Sequence, residues 1–284
     1  MLSVIESVNA AVNNFIWGVP AMICIIGVGL YLSIRTNFLQ IRKFPYAIRV
    51  TIGRMLRKRE ASDGSLTPFQ AVCTALAATV GTGNIAGVAG AIAIGGPGAV
   101  FWMWISALLG MCTKFSEVTL AVHFRETNAN GDLVGGPMYY IKNGLKKHWH
   151  WLAYLFSAFG VLTVFGTGNA TQVNTITTAI DSALINYNVI AADNTSTVNV
   201  PGVFSAIIRG AFNPASVTGG VVGSFFMSMK KGVSRGIFSN EAGLGTGSIA
   251  HACADTRKPV KQGFFGIFEV FTDTIVICTL TALV

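Results

Sequence analysis

The chain has 284 residues, of which 52% are hydrophobic and only 11% are charged. About a quarter of the residues in an ordinary soluble domain are charged, so this composition excludes a water-soluble body and predicts several membrane spans. The net charge of +8 is concentrated, because eight basic residues lie in the segment from Arg35 to Arg59. A basic loop beside a span indicates the cytoplasmic side of a lipid bilayer, so we expect no nucleic-acid partner.

The amino-terminal part of the chain predicts a retained first span. Residues 1–14 contain Glu6 and neither Lys nor Arg, so the positive region of a signal peptide is missing. In the basic loop 35–66, apolar residues recur at helical spacing and predict an amphipathic helix on the inner surface: Phe38, Ile41, Phe44, Ile48, Ile52 and Met55. This assignment places the N-terminus outside, in a multi-pass protein of the cell membrane.

The apolar segments predict an all-α polytopic membrane protein. We expect six spans, at about 15–34, 68–94, 99–122, 151–180, 232–255 and 262–284. Residues 181–231 then form an outer region, in which 200–231 is interpreted as a re-entrant or interfacial element. The final span ends at Val284 in an apolar run without a polar flank, which predicts C-terminal truncation.

A first candidate site lies in the second span, where glycine and polar residues weaken the helix in mid-membrane. Freed backbone groups are tolerated there only if they line a cavity, as in the broken helices of transporters. The sequence therefore predicts substrate binding here, with close helix packing through Gly83 and Gly87 as the alternative. The candidate residues are Thr79, Gly81, Thr82, Gly83 and Asn84.

Two further segments could complete this site. In the fourth span Asn169 and Gln172 share a helix face, and Gln172 favours substrate binding over hydrogen bonding between spans. A second candidate break contains Ser239, Asn240, Glu241 and Gly243. Glu241 requires a partner, which could be a cation, a backbone amine end or Arg235.

Other charged residues of the spans have weaker predicted roles. Lys114 and Glu117 are three residues apart and predict a structural ion pair. Glu269 and Asp273 share a helix face and could point into a water-filled pathway.

The sequence gives little sign of an enzyme. The five cysteines have no paired spacing, so neither a disulfide framework nor a metal site is expected beyond the coupling ion, and no cofactor is expected. The pattern Gly232-Val-Ser234-Arg-Gly236, with His251 downstream, leaves an intramembrane serine hydrolase as a remote alternative. That reading requires a strand-to-helix turn and an orienting acid.

From Gly95 to Gly110 the sequence reads Gly-Gly-Pro-Gly-Ala-Val-Phe-Trp-Met-Trp-Ile-Ser-Ala-Leu-Leu-Gly. This run resembles the signature of the sodium:alanine (alanine or glycine:cation) symporter family at every position. Four more segments resemble landmarks of that family in the expected order: 79–87, 135–140, 210–214 and 239–243.

The resemblance implies the inverted-repeat fold of the leucine transporter, here partial and with an extra N-terminal span. It also implies symport of alanine or glycine with sodium, or with a proton as the alternative coupling ion, by alternating access. On that scheme the 68–94 and 232–255 spans are the two discontinuous core helices. The substrate carboxylate then lies near Gly81–Asn84 and its amino group near Gln172 and the second break. Thr79, Asn84 and Glu241 would contribute to the cation site.

The chain departs from the family in two places. Members carry another pair of spans between the positions matching Asn188 and Pro201, and they continue beyond the seventh core helix to one that helps to hold sodium. The chain is therefore expected to be an internally shortened and C-terminally truncated member. A non-transporting membrane fragment or assembly subunit remains the alternative function.

Overall fold

The structure is a computed structural model that describes residues 19–55, 65–166 and 221–284, together with positions 7, 8, 11, 12, 15, 172, 173 and 175. The helices before the second predicted span are α1 (Val19–Arg35), α2 (Leu39–Arg42) and α3 (Phe44–Met55). The middle of the chain contains α4 (Pro68–Thr79), a π-helical turn (Gly83–Gly87), α5 (Val88–Gly95), α6 (Gly98–His123), β1 (Glu126–Thr127), β2 (Leu133–Val134), α7 (Pro137–Gly144), a 3-10 turn (Lys147–Trp149) and α8 (Trp151–Gly166). The last part contains α9 (Val221–Asn240), α10 (Thr246–Ala252), α11 (Pro259–Val270), a second π-helical turn (Phe271–Ile277) and α12 (Cys278–Leu283).

Within the described residues, two helical segments are long and apolar enough to cross a membrane. They are α6, with 26 residues, and the continuous segment Pro259–Leu283, with 25 residues. The helices on either side of Val80–Thr82 bend by 58° and together are long enough for a third span. The apolar part of α1, Pro20–Arg35, is shorter.

Helix α6 lies at the centre of the described part of the molecule, with Met103, Cys112 and Val118 fully buried. Helix α9 packs closely on it because glycines face α6. A β-carbon at Gly232 would overlap the carbonyl oxygen of Ala99, and one at Gly236 would lie 3.1 Å from Ser106. Ser234, between these glycines, therefore belongs to a regular helix. The pattern is a close helix contact and not the turn that the hydrolase alternative requires.

Helix α9 begins before the predicted boundary. The sequence predicted a span over 232–255 after an outer re-entrant or interfacial element, whereas the helix already includes 221–231. Residues 221–231 are helical because the breaking pairs Asn213-Pro214 and Gly219-Gly220 all precede Val221, and their position relative to the membrane stays a prediction. The rest of the outer region, from 181 to 220, lies outside the described residues, as do 56–64, Asn169 and most of the predicted 167–180 segment.

The predicted amphipathic segment forms α2 and α3, but its apolar residues do not all face the protein. Phe44 contacts Phe271 with ring centroids 4.7 Å apart, and the small residues Ala47 and Thr51 are buried. Ile52 and Met55 remain exposed. Small residues allow α3 to approach α11, and the exposed apolar side chains suit a helix at a membrane surface.

The start of α4 and the end of α10 are held together by backbone hydrogen bonds. The N–H of Leu66 donates to the carbonyl of Cys253 at 2.9 Å, and the N–H of Asp255 donates to the carbonyl of Leu66 at 2.6 Å. Arg125 adds hydrogen bonds to the carbonyls of Ala252 and Ala254. These contacts satisfy carbonyls that a helix leaves unpaired at its end, and they bring together the two broken helices that carry the candidate site.

Candidate functional site

The first break lies within the stretch that the glycine, threonine and asparagine residues predicted. Helix α4 ends at Thr79, and the chain resumes its helical path at the π-helical turn that starts at Gly83. The side chain of Asn84 closes the gap, because its Oδ1 accepts a hydrogen bond from the N–H of Gly81 at 2.9 Å. A side-chain amide thus replaces a helical carbonyl, which stabilises a broken helix away from water.

The second break separates α9 from α10 over residues 241–245. Three of these residues have positive φ values: Glu241 at 53°, Gly243 at 97° and Gly245 at 80°. A β-carbon at Gly245 would overlap Pro137, so this position requires glycine for its conformation and for space. Asn240 closes the end of α9 by accepting from the N–H of Ala242 at 3.0 Å.

A cluster of buried polar side chains joins the two breaks; we name it the Asn84 cluster, and it comprises Asn84, Ser239, Asp273, Thr274 and Cys278. Nδ2 of Asn84 lies 2.8 Å from Oδ1 of Asp273 and 2.9 Å from Oγ of Ser239. Ser239 and Thr274 each donate to Oδ2 of Asp273, at 2.6 and 2.9 Å. Asn84, Asp273 and Thr274 have no exposed surface.

The Asn84 cluster places hydroxyl and amide groups around one buried acid. The groups that hydrogen-bond the Asp273 carboxylate are two hydroxyls and an amide, all of them neutral. An isolated carboxylate is costly inside a membrane protein, and such residues mark ion or substrate pathways. The described residues contain no group of three or more His, Cys, Asp or Glu that could hold a metal, so the cluster differs from a transition-metal site.

Gln172 lies against the first break. Its Nε2 is 3.0 Å from the position that a β-carbon at Gly81 would occupy, so the absence of a side chain at Gly81 allows this approach. The sequence predicted Gln172 as a substrate-binding residue but did not indicate which residue of the break it contacts. The geometry shows which part of the break its amide reaches.

The other candidate residues lie around the two breaks with different partners. Oγ1 of Thr79 is 3.3 Å from the carbonyls of its own helix at Ala75 and Leu76. A β-carbon at Gly83 would contact the ring of Phe238, next to Ser239, at 3.4 Å. Thr82 precedes the π-helical turn at Gly83. A β-carbon at Gly243 would contact Ile25 of α1 at 3.2 Å.

Glu241, which we expected to be a cation ligand, lies outside the Asn84 cluster. Its carboxylate accepts a hydrogen bond from the hydroxyl of Thr246 at the start of α10. Within the described residues, the hydrogen bonds of Asn84 and Ser239 reach Asp273 and Cys278 instead. Glu241 has a φ of 53°, a conformation that is strained for a residue other than glycine.

The sequence placed the charged residues of the spans incorrectly. Lys114 forms its ion pair with Glu269, at 3.1 Å, and not with Glu117. Glu269 and Asp273 hydrogen-bond different partners, His251 for Glu269 and Ser239 for Asp273. Asp273 and Cys278 were missed as members of the candidate site. The only signal for Asp273 was its acidic side chain within an apolar segment.

Two broken helices that face each other around buried polar groups are the architecture of secondary transporters. The family model described as "Sodium:alanine symporter family" matches residues 2–194 and 187–284. The chain therefore belongs to the sodium:alanine symporter family.

The similar proteins are all named as transporters or symporters, but their names give different substrates. An "Uncharacterized transporter" of Haemophilus influenzae is 43% identical over 99% of this chain and 69% of its own length. The "Sodium/alanine symporter AgcS" of Methanococcus maripaludis is 38% identical over 96% of this chain and 68% of its length. The "Probable sodium/glutamine symporter GlnT" of Bacillus subtilis is 36% identical over 100% of this chain and 66% of its length.

The same comparisons confirm that the chain is internally shortened. The two pieces of the family match overlap at residues 187–194, as expected if members have additional sequence there. The alignment with GlnT extends over 326 positions whereas this chain has 284 residues, so at least 42 positions of that relative have no counterpart here. The overlap of the two matched pieces falls in the stretch that the sequence predicted to lack a pair of spans.

Proposed function

We propose that the chain binds alanine or glycine together with sodium, and that this site belongs to an alternating-access symporter. The observation that supports this most directly is the Asn84 cluster, which joins the two helix breaks through a buried carboxylate with neutral partners. Membership of the symporter family supports amino-acid and cation transport as the general activity.

The proposed positions of substrate and cation follow from the polarity of the groups present. The substrate carboxylate lies at the backbone between Gly81 and Asn84. Gln172 presents its amide nitrogen at Gly81, so it would donate to this carboxylate and not accept from the amino group. The substrate amino group then faces the second break near Ser239, Asn240 and Gly243, where Nζ of Lys114 already lies 3.3 Å from the carbonyl oxygen of Asn240.

The cation is placed beside Asp273 in the Asn84 cluster. Alanine and glycine are zwitterions without net charge, so one monovalent cation would neutralise the buried carboxylate of Asp273 when the site fills. Hydroxyl and carboxylate oxygens are suitable ligands for a hard cation such as sodium. Thr79 and the carbonyls freed at the first break are further candidate ligands.

Uptake and binding of alanine test this proposal. The purified full chain, reconstituted in proteoliposomes, should accumulate labelled alanine under an inward sodium gradient and not when choline replaces sodium. Gln172→Ala should weaken alanine binding about tenfold, the effect of one hydrogen bond to a charged group. Val173→Ala, at the adjacent exposed position, is the matched control. Sodium-independent uptake, or an unchanged Gln172→Ala variant, would contradict the proposal.

The internal shortening supports a second candidate function, which is binding without transport. A chain that lacks a pair of spans near residues 187–194 could retain the Asn84 cluster and yet be unable to alternate. Isothermal titration with alanine in sodium or choline buffer separates the two functions. Sodium-dependent binding without uptake would identify a non-transporting protein, whereas binding with uptake would identify a symporter.

A further inference from the structure

A second buried polar cluster lies beside the second break, and the proposed transport scheme uses none of its side chains. We name it the Lys114 network; it consists of Lys114 of α6, His251 of α10, and Glu269 and Gln262 of α11. Nζ of Lys114 is 3.1 Å from Oε1 of Glu269, and Oε2 of Glu269 is 2.9 Å from Nε2 of His251. These side chains are at most 1% exposed. Each charge in the network therefore requires a partner.

The hydrogen bonds of Gln262 determine the tautomer of His251. Nε2 of Gln262 lies 3.2 Å from the carbonyl oxygen of Pro68 and 2.9 Å from Nδ1 of His251. A backbone carbonyl can only accept, so the amide nitrogen donates to both groups. Nδ1 then carries no proton, and His251 donates from Nε2 to Glu269. The network thus contains one cation, one anion and a neutral imidazole.

Lys114 also contacts the end of α9. Its Nζ lies 3.3 Å from the carbonyl oxygen of Asn240, the last residue of that helix. The final carbonyls of a helix lack partners within it and form its negative end. In broken transporter helices such carbonyls coordinate cations. The ammonium group of Lys114 occupies this kind of position while remaining attached to α6.

The other half of the broken helix packs around the same ammonium group. A β-carbon at Gly247 of α10 would overlap Nζ of Lys114 and lie 3.0 Å from Oε1 of Glu269. Glu117, one turn further along α6, faces the backbone amides of Gly243 and Gly245. Among the described residues, the charged groups that act on the ammonium group of Lys114 are Glu269, Glu117 and Glu241. The ammonium group is therefore enclosed by both halves of the broken helix and by α11.

We propose that Lys114 supplies a resident cation at the second break. Its ammonium group joins the carbonyl end of α9 to Glu269 and, through His251, to α10, so the two half-helices stay aligned with no free ion bound between them. Lys114 is accordingly a positioning residue. The inference does not depend on which amino acid or coupling ion is transported.

Chemical rescue tests for a resident cation. Lys114→Ala in the full chain, purified in detergent, removes the ammonium group and most of its aliphatic stem. Its thermal midpoint should fall, and propylammonium, which matches the deleted atoms, should restore at least half of the loss in a saturable manner. Tetramethylammonium at equal concentration should not restore it, because its bulk cannot enter. Lys142→Ala, which removes an exposed lysine, should not respond to either salt.

The result that would overturn the proposal is a Lys114→Ala chain that is not rescued by propylammonium, or is rescued equally by both salts. A second variant is needed because Lys114→Ala could fail to fold. Glu269→Gln keeps Lys114 beside Asn240 but leaves one acceptor oxygen for two donors, so Lys114 and His251 can no longer both be held. Nitroxide labels at the exposed positions Met227 and Ile249 then report the distance across the break in a cysteine-replaced chain. The distance distribution should broaden in Glu269→Gln, and an unchanged distribution would count against the proposal.

Discussion

The two helix breaks face one another, yet they satisfy their freed backbone groups in different ways. At the first break the amide of Asn84 substitutes for a helical carbonyl and leads to a carboxylate with neutral partners. At the second break an ammonium group from α6 already lies at the carbonyl end of the helix, paired with a buried carboxylate. On our proposal the first break binds an ion, whereas the second has a cation supplied by the protein itself.

The difference shows that a broken membrane helix is not in itself a ligand site. Its carbonyls and amides must be satisfied, but they can be satisfied by side chains of the same chain. The two cases differ in whether a cationic side chain faces the buried acid. Asp273 of the Asn84 cluster has neutral hydrogen-bond partners, whereas Glu269 is paired with Lys114.

The largest predicted effect comes from Gly247→Ala. The added methyl group would displace the buried ammonium of Lys114 from Glu269, and disrupting a buried ion pair costs about 3–5 kcal/mol. We expect a marked fall in the thermal midpoint of the purified chain. Gly90→Ala is the matched control, because a β-carbon there has no neighbour within 4 Å. Equal midpoints for the two variants would show that Lys114 has no fixed position at the second break.

A somewhat smaller effect is expected for Asp273→Asn, and it should concern the cation. The amide keeps the shape of the Asn84 cluster and removes its only carboxylate, so the stabilisation of the chain by sodium should be lost. Interactions with a charged group contribute about 1.5–3 kcal/mol, which corresponds to roughly a tenfold to hundredfold weaker apparent affinity for sodium. The measurement is the thermal midpoint as a function of sodium concentration at constant ionic strength.

Thr281→Ala is the matched control for Asp273→Asn. Its hydroxyl lies on α12 and donates to the carbonyl of Ile277 in its own helix. We expect it to leave the sodium dependence unchanged. If Asp273→Asn retains the sodium response of the unaltered chain, the cation does not bind at the first break and the distinction between the two breaks fails.

The positions of both breaks could be predicted from the sequence, since glycine, asparagine and hydroxyl residues in apolar segments are poor membrane-helix formers. The partners across the breaks could not. Asn84 and Asp273 are 189 residues apart, and no local pattern links them. Lys114 and Glu117 were assigned to each other because residues three apart share a helix face, but each has partners on another element.

Asp273 illustrates a second difficulty for sequence-based interpretation. Its spacing of four residues from Glu269 predicts a common face for a regular α-helix. The π-helical turn Phe271–Ile277 changes the angular step along the segment, so the two acids enter different clusters. Such turns are frequent at functional sites and have no reliable sequence signature. The internal shortening, by contrast, was predictable because the resemblance to the family covers both sides of it.

A smaller effect is expected for Gly81→Ala at the first break. The new β-carbon would lie 3.0 Å from Nε2 of Gln172, so the glutamine side chain must move by a few tenths of an ångström. Because Gln172 is exposed and can adjust, we expect the thermal midpoint to change little and the affinity for alanine to fall by up to about tenfold. Gly27→Ala, in open space on α1, should leave alanine binding unchanged. A Gly81→Ala chain with unaltered alanine affinity would separate Gln172 from the substrate.

The smallest effect is expected for an ion pair at the surface, and it shows why burial matters in the comparison of the breaks. Lys142 lies 3.0 Å from Glu126, and hydrogen bonds from Asn143 and Lys142 hold the pKa of Glu126 below its usual value. Because the pKa of Glu126 is lower in the folded chain, its ionised form stabilises the fold above the unfolded value of 4.5. This stabilisation is lost as the pH falls through the folded-state pKa. Glu126→Gln should therefore lower the thermal midpoint slightly at pH 7, less so in high salt, and the difference from the unaltered chain should vanish in acid. The Lys142–Glu126 and Lys114–Glu269 pairs both join a lysine to a glutamate and differ mainly in their exposure to water. An effect of Glu126→Gln as large as that of Gly247→Ala would therefore mean that burial does not set the strength of the Lys114 network.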